Sequence, residues 1–326
     1  MKVFVTRRIP QPGLDMIADA GIEMKINPED RVLTKEEVIS GLRGKDGLLS
    51  LLTDPIGAEI MDASDKLRVI ANYAVGYNNI DVAAATARGI PVTNTPGVLT
   101  DTVADFTIAL ILAVIKRVVE ADAFTREGKY RGWGPMLMLG DDLWGSTLGI
   151  VGYGRIGEAV AKRVRGFDAR ILYYDVRRRD PAYEREMGIE YVPFDELLRR
   201  SDIVTIHTAL TPETHHLIGE PELRLMAEHK GYLINTSRGP VVSEKALVRA
   251  LKGGWIAGAG LDVYENEPDI RPELIDMPNV VLQPHTASAS LRTRTKMATM
   301  AAENLIAGLR GERPPNCVNP EVFSSR

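Results

Sequence analysis

The chain has 326 residues, 44% hydrophobic and 26% charged, with a formal net charge of −4. That is ordinary globular composition, long enough for two domains with separate cores, and it lacks the basic excess expected of a nucleic-acid partner. One cysteine, Cys317, excludes an internal disulfide and a cysteine-based metal site, and it fits a reducing, cytoplasmic setting.

Taken from the N-terminus, Met1-Lys-Val-Phe-Val-Thr6 reads as a short strand followed by two arginines and a proline, unlike a signal peptide. Short β-type runs then alternate with helical patterns, which points to parallel sheets with crossover helices. Strands are expected near 3–6, 47–52, 69–71 and 91–94, with helices between them, as a small α/β layer. The segment Asn72-Tyr-Ala-Val-Gly76-Tyr-Asn-Asn79 follows a strand and precedes a helix starting near Ile80. There the amides of Val75 and Gly76 can point at an anion, although an ordinary βα loop has the same look.

Residues 100–121 read as one long helix, capped by Thr100 or Asp101 and apolar over much of its circumference, and therefore interior. Its longest apolar stretch, 106–115, is too short to span a bilayer. The segment 124–145 interleaves glycines with Trp133, Met136, Leu137, Met138 and Leu139, the pattern of an extended arm; large exposed apolar patches mark oligomer contacts.

The strand 147–151 runs into Gly152-Tyr153-Gly154-Arg155-Ile156-Gly157, and a second apolar strand, 171–174, ends on Asp175. This is the order of a dinucleotide-binding turn: one glycine for the tight turn, one for approach to a pyrophosphate, one for close helix packing, and a carboxylate for the ribose. The helix that follows, 158–164 and stopped by Gly166, faces the phosphates with its free N–H groups. Further strands are expected near 203–207, 232–235, 257–262 and 280–283. A last helix, 290–309, ends before Gly311 and Pro314-Pro315 and can pack back onto the N-terminal layer.

The expected fold is α/β, with two doubly wound parallel-sheet domains. A Rossmann nucleotide domain, 99–287, is inserted into a flavodoxin-like substrate domain, 1–98 plus 288–326, leaving a cleft with hinges near 95–100 and 286–290.

In open α/β sheets ligands lie beyond the carboxyl ends of the strands, where Arg238, Glu267 and His285 fall. Singly, an arginine there can serve a neighbouring carboxylate and a histidine can be structural. Jointly they suit reduction of a 2-keto acid. A forked cation holds the carboxylate and polarises the carbonyl, an imidazolium protonates the new alkoxide, and a carboxylate orients and stabilises that imidazolium.

With these residues in view, the chain resembles the D-isomer-specific 2-hydroxyacid dehydrogenases over nearly its whole length. The matching segments are 72–81, Gly152–Gly157, Asn235-Thr-Ser-Arg-Gly239, Gly260-Leu-Asp-Val263 with Glu267-Pro268, and Pro284-His-Thr-Ala-Ser288. The resemblance implies Arg238, Glu267 and His285 as catalytic residues, with His285 the proton donor. It implies coenzyme contacts from Thr102, the Gly152–Gly157 turn, Asp175, Val176, Arg177, His207, Thr208, Thr236, Ser237, Arg238, Asp262 beside the nicotinamide carboxamide, His285 and Ala287. Implied substrate contacts are Leu52, Ala74, Val75, Gly76, Arg238, His285 and Ser288, with no metal.

Within the family the chain looks most like the glyoxylate and hydroxypyruvate reductases, through 47–54, 95–102, Trp133 and 307–312. That branch implies a homodimer, joined through the nucleotide domain and the 123–145 arm, with Trp133 reaching the partner's active site. Leu51-Leu52 stands where phosphoglycerate-specific members carry a basic residue, and Glu267 stands where formate dehydrogenases carry glutamine. Asp175 favours NAD(H) by repelling a 2′-phosphate, whereas Arg177-Arg178-Arg179 leave NADP(H) open. The alternatives are a D-lactate-type 2-ketoacid reductase and a non-catalytic NAD-sensing binding protein of the same fold.

Overall fold

The computed structural model describes residues 1–324; positions 325 and 326, at the end of the expected 288–326 segment, lie outside the described residues. In chain order the first elements are β1 (Lys2–Val5), α1 (Gln11–Asp19), β2 (Glu23–Ile26), α2 (Lys35–Leu42), β3 (Gly47–Leu51), α3 (Ala58–Met61), β4 (Val69–Tyr73), α4 (Val82–Ala87) and β5 (Val92–Thr93). They are followed by α5 (Thr100–Ile115), α6 (Val118–Arg126), β6 (Thr147–Val151), α7 (Arg155–Val164), β7 (Arg170–Tyr174), α8 (Pro181–Met187) and β8 (Ile189–Tyr191). The remainder comprises α9 (Phe194–Arg200), β9 (Ile203–Ile206), α10 (Glu220–Leu225), β10 (Tyr232–Asn235), α11 (Glu244–Lys252), β11 (Gly258–Leu261), α12 (Pro272–Ile275), β12 (Val280–Leu282) and α13 (Leu291–Leu309).

The chain divides into two compact units, Met1–Leu99 with Ala289–Arg326, and Thr100–Ser288. In the first, the described strands form a five-stranded sheet in the order β2-β1-β3-β4-β5, the flavodoxin-like winding. β4 is buried along its whole length, as a strand covered on both faces must be. One face is filled by Val38, Leu42, Ile60 and Met61 packed on Leu48, Ile70 and Val92. Over the sheet also lies α13, which packs against α1 and β4 through small and apolar residues such as Ala298, Ala301 and Leu305.

In the second unit the described strands form a seven-stranded parallel sheet, β12-β11-β10-β9-β6-β7-β8. The winding reverses between β6 and β9, and the crevice at such a reversal is where α/β sheets take ligands. α5 and α7 cover one face, with Ile111, Ile115, Val160 and Val164 buried against Leu148, Ile150 and Ile171. The other face holds Leu197, Leu223, Leu247 and Leu251 against Val204, Leu233 and Leu261.

Several local expectations need correction. The helix expected over 100–121 is two helices, because Arg117 between α5 and α6 is left-handed (φ 53°). A non-glycine residue there costs about 1–2 kcal/mol. Arg117 offsets it with a forked pair to Glu120 (2.6 and 2.8 Å) and a bond to the Leu139 carbonyl (3.1 Å). Thr100 is itself the first helical residue rather than a cap. α6 continues to Arg126, so the expected arm begins helical and only its later part is irregular.

The helix after the glycine motif starts at Arg155. A 3-10 turn runs through Gly166, and Asp168, left-handed at φ 53°, ends it. Two strands were not anticipated, β2 and β8; both are edge strands carrying glutamate or lysine, and edge positions tolerate charge that masks an apolar pattern.

Candidate active site

The head of the Thr100–Ser288 unit's sheet is shaped for a dinucleotide. Gly152 sits at φ 92°, and a Cβ there would lie 2.8 Å from the His207 carbonyl carbon. A Cβ on Gly157 would meet the Gly152 oxygen at 2.3 Å, whereas one on Gly154 would meet nothing within 4 Å. So the first and third glycines let β6, α7 and the end of β9 close up, and the second faces open space where a pyrophosphate fits. α7 has no side-chain cap at Gly154, which leaves the amides of Arg155, Ile156 and Gly157 for an anion. The buried Thr208 hydroxyl has no partner among the described residues, a vacancy a polar ligand can fill. These features fit a nicotinamide dinucleotide.

Asp175 directly follows β7, and its carboxylate already accepts from the Tyr153 amide (2.8 Å) and the Arg177 amide (3.1 Å). Val176 is fully displayed at 89% exposure. Tyr153 departs from the expected contact set: its ring is buried against Tyr173, its N–H goes to Asp175 and its carbonyl to Arg179. His207 is half-buried with its Nε2 3.0 Å from the Thr205 hydroxyl. Burial pushes its pKa down to about 3, so this imidazole is neutral. Thr102 lies in the first turn of α5.

The turn after β10 is built by Asn235, whose Oδ1 accepts from the Ser237 amide (3.0 Å) and hydroxyl (2.8 Å) while its Nδ2 donates to the Arg238 carbonyl (3.0 Å). Thr236 is tied to Thr107 of α5 through their hydroxyls (3.1 Å). Arg238 follows, with burial pushing its pKa down and the charge of Glu267 opposing that shift; a guanidinium stays cationic regardless. Arg238 and Glu267 are therefore close enough to interact.

The second pair is direct: His285 Nδ1 lies 2.8 Å from Glu267 Oε2. Burial opposes ionisation of Glu267, but the hydrogen bond and charge of His285, the Tyr264 amide and Arg238 outweigh it and hold the carboxyl below its usual range. With Nδ1 engaged by a carboxylate, the ring presents Nε2 for proton transfer.

Two residues hold this arrangement that the sequence had not singled out for it. Tyr264 touches all three segments. Its amide donates to Glu267 Oε1 (3.1 Å) and its hydroxyl to the Gln283 carbonyl (2.8 Å). Its own carbonyl oxygen lies 1.8 Å from where a Cβ on Gly239 would be, so only glycine fits beside Arg238. Asp262, expected beside the nicotinamide, is fully buried and accepts from the amides of Thr286 (2.7 Å) and Ala287 (2.9 Å). Burial raises its pKa and those two amides pull the other way. His285 is thus bracketed by Tyr264 on one side and Asp262 on the other. It is held in the left-handed region at φ 56°, a strain that persists only where the surroundings impose it. Ser288 follows, half-buried.

In the Met1–Leu99 unit, the loop after β4 is tethered by its carbonyls. The Ala74 oxygen accepts from the Thr95 amide (2.8 Å), that of Val75 from Asn94 Nδ2 (2.7 Å) and that of Gly76 from Asn72 Nδ2 (2.9 Å). In a trans peptide the N–H points opposite to the C=O, so these tethers turn the amides of Val75, Gly76 and Tyr77 away from the Thr95 amide and the two asparagine side chains. None of the three donates to an acceptor among the described residues. Asn79 adds a link to the loop holding Leu52, donating to the carbonyls of Leu51 (3.0 Å) and Asp54 (2.9 Å). Trp133, in the irregular segment after α6, is 84% exposed.

Among the described residues no group of acidic, histidine or cysteine side chains is arranged to hold a metal ion, and no helix is long and apolar enough to cross a membrane.

Comparison with known proteins agrees with this geometry. Residues 108–287 match the D-isomer specific 2-hydroxyacid dehydrogenase, NAD binding domain. The chain is 57% identical to the glyoxylate reductase of Korarchaeum cryptofilum, across 100% of this chain and 98% of that protein. Among solved structures, a protein of Thermus thermophilus superimposes with a TM-score of 0.91 at 45% identity, covering 98% of this chain and 100% of that one. An NADPH-dependent glyoxylate/hydroxypyruvate reductase from Sinorhizobium meliloti, in complex with NADP and malonate, gives a TM-score of 0.85 at 34% identity, covering 98% and 97%. A dinucleotide turn, an arginine and a carboxylate–histidine pair at the strand ends, and this full-length similarity have one common explanation: the chain belongs to the D-isomer-specific 2-hydroxyacid dehydrogenases, nicotinamide-dependent oxidoreductases.

Proposed function

We propose that the protein reduces glyoxylate to glycolate, and hydroxypyruvate to D-glycerate, with Arg238, Glu267 and His285 as its catalytic residues. The observation that carries this reading is the 2.8 Å contact between His285 Nδ1 and Glu267, with the half-buried Arg238 nearby. Bound NAD(P)H supplies the hydride. Arg238 holds the substrate carboxylate in its fork and draws electron density from the carbonyl. His285, oriented by Glu267 through its Nδ1, gives its Nε2 proton to the oxygen of that carbonyl as it becomes an alkoxide. Leu52, Ala74, Val75, Gly76 and Ser288 are the further proposed substrate contacts, the amides of Val75 and Gly76 serving as anion donors.

NAD(H) is the preferred coenzyme in this reading. The Asp175 carboxylate, just past β7, would take the adenosine ribose hydroxyls and repel a 2′-phosphate, and two of the three following arginines are already engaged within the protein: Arg178 forks onto Glu184 (2.8 and 2.9 Å) and Arg179 bonds the Tyr153 carbonyl (2.9 Å). The remaining proposed coenzyme contacts are those the family resemblance implies, with the amide and carbonyl of Tyr153 already bonded within the protein. The Thr100–Ser288 unit takes the nucleotide role and the other unit the substrate role. A second copy of the chain pairs through the exposed segment around Trp133.

Initial rates of NADH and NADPH oxidation with glyoxylate, hydroxypyruvate and pyruvate test the reading. Fast turnover of the first two with NADH is expected. Preference for pyruvate would replace it with a D-lactate-type reductase, and coenzyme binding without turnover of any keto acid would replace it with a binding protein. Asp175→Ala should raise NADPH use relative to NADH in the same assay. It should also weaken both coenzymes, because the Tyr153 amide loses its acceptor; an unchanged ratio would place the preference elsewhere.

A further inference from the structure

The three arginines after Asp175 do different jobs, and one of them is built into the coenzyme turn. Arg178 belongs to a network that closes β7 against α8: it forks onto Glu184, which also accepts from the Tyr173 hydroxyl (2.8 Å), and Tyr173 in turn accepts from the Arg179 amide (2.8 Å). Arg179 points the other way. Its Nη2 donates to the Tyr153 carbonyl (2.9 Å), and its guanidinium lies over the rings of Tyr153 (5.6 Å) and Tyr183 (6.0 Å). It also stands 3.8 Å from Glu158 in the first turn of α7.

We propose that Arg179 is a positioning residue for the coenzyme's pyrophosphate: by holding the Tyr153 carbonyl it aims the Gly154 amide, which shares that peptide plane, at the phosphates. The inference deepens the coenzyme part of the proposed function and rests on it. The peptide before Tyr153 is gripped by Asp175 at its N–H, and the peptide after it by Arg179 at its C=O. Since N–H and C=O of a trans peptide point in opposite directions, the bond to Arg179 turns the Gly154 N–H away from the guanidinium. It then faces the side where a Cβ on Gly154 would meet nothing within 4 Å. The stacking of the guanidinium on two tyrosine rings, one of them buried, fixes its own position before any ligand arrives. Arg179 therefore acts on the part common to NAD and NADP, unlike a residue that reads the 2′-phosphate.

The test is equilibrium binding. Dissociation constants for NADH and NADPH are measured by fluorescence titration, and for ADP-ribose, which carries the pyrophosphate without nicotinamide, by calorimetry. Arg179→Met keeps an apolar stem over the rings and removes the donors. It should weaken NADH, NADPH and ADP-ribose by the same factor, about tenfold, the scale of one charge-assisted hydrogen bond. Turnover at saturating NADH should stay within about twofold of wild type, and Arg179→Lys, which keeps a donor, should recover part of the affinity. An NADH constant within about twofold of wild type would overturn the inference. So would a loss confined to NADPH, which would make Arg179 a direct 2′-phosphate contact, or a lowered melting temperature with ADP-ribose affinity unmoved. If Arg179→Met does not fold, Arg179→Lys and Arg179→Gln are judged by the same thresholds. Wild-type protein that binds NADH but leaves glyoxylate untouched would refute the proposed substrate without touching this test.

Discussion

His285 is the residue at which backbone and chemistry are most tightly joined. Its φ of 56° is costly for most side chains but tolerated by asparagine. The substitution His285→Asn should therefore keep the fold while removing the proposed proton donor. Turnover should fall by about two orders of magnitude or more, with the melting temperature nearly unchanged; near-normal kcat would remove His285 from the mechanism. Glu267 gives a second, independent handle. In Glu267→Gln the carboxylate facing the imidazole is gone, so kcat for reduction should fall about tenfold or more while NADH affinity stays within about twofold; an unchanged kcat would remove Glu267 from the mechanism. The sign for stability is also determined. Glu267 is held below its usual range in the folded protein, so its contribution is present above about pH 4.3, the unfolded value, and lost as pH falls through the folded value. The stability difference between wild type and Glu267→Gln should shrink over that acid interval.

At the scale of elements, the site is three strand ends held in register by what lies between them. Tyr264 does most of this, with its amide on Glu267, its hydroxyl on the end of β12 and its carbonyl against Gly239. Tyr264→Phe keeps the packing and deletes one hydrogen bond, leaving the Gln283 carbonyl without that donor. The expected cost is about 1 kcal/mol of stability with a larger proportional loss in kcat than in coenzyme affinity, measured by urea unfolding and NADH titration. Equal losses in both would mean that Tyr264 supports the whole unit rather than the catalytic loop. The same scale explains what was hard to read in the helix over 100–121. Nothing in Ile115-Lys-Arg-Val118 breaks a helical pattern locally, and the left-handed Arg117 is maintained by Glu120 one turn on and by the Leu139 carbonyl far along the chain.

For the whole molecule, the exposed apolar residues are not scattered evenly. Val118 and Val119, with Trp133, Met136, Leu139 and Trp144, are all at least half exposed and lie within one stretch of chain. A concentration of this kind marks an interface more often than a solvated surface. Light scattering should give twice the mass of one chain, and Trp133→Ala combined with Met136→Ala should shift the equilibrium toward the single chain. A wild-type protein that scatters as one chain would leave the dimer reading without support. Coenzyme should stabilise the protein by mass action, by about 2.7 kcal/mol at a hundredfold excess over its dissociation constant.

The sequence by itself determined the parts whose physics is local. Alternating apolar runs and helical patterns specify parallel α/β layers. The spacing Gly152-x-Gly154-x-x-Gly157 specifies a strand-to-helix turn open to phosphate, and polar residues placed just after apolar strands mark where a ligand must lie. Arg238, Glu267 and His285 were legible for that reason. Tertiary structure decided which groups are free and which are spent. Arg178 and Arg179 look equally available in sequence until Glu184 and the Tyr153 carbonyl are found to occupy them. Asp262 reads in sequence only as a carboxylate at a strand end; the fold puts the amides of Thr286 and Ala287 on it. The left-handed backbone of His285, the break at Arg117 and the role of Tyr264 likewise depend on partners distant in sequence. The physical reason is common to all of these: conformational preference is set by neighbours along the chain, whereas the satisfaction of a polar group is set by whatever the fold brings to it.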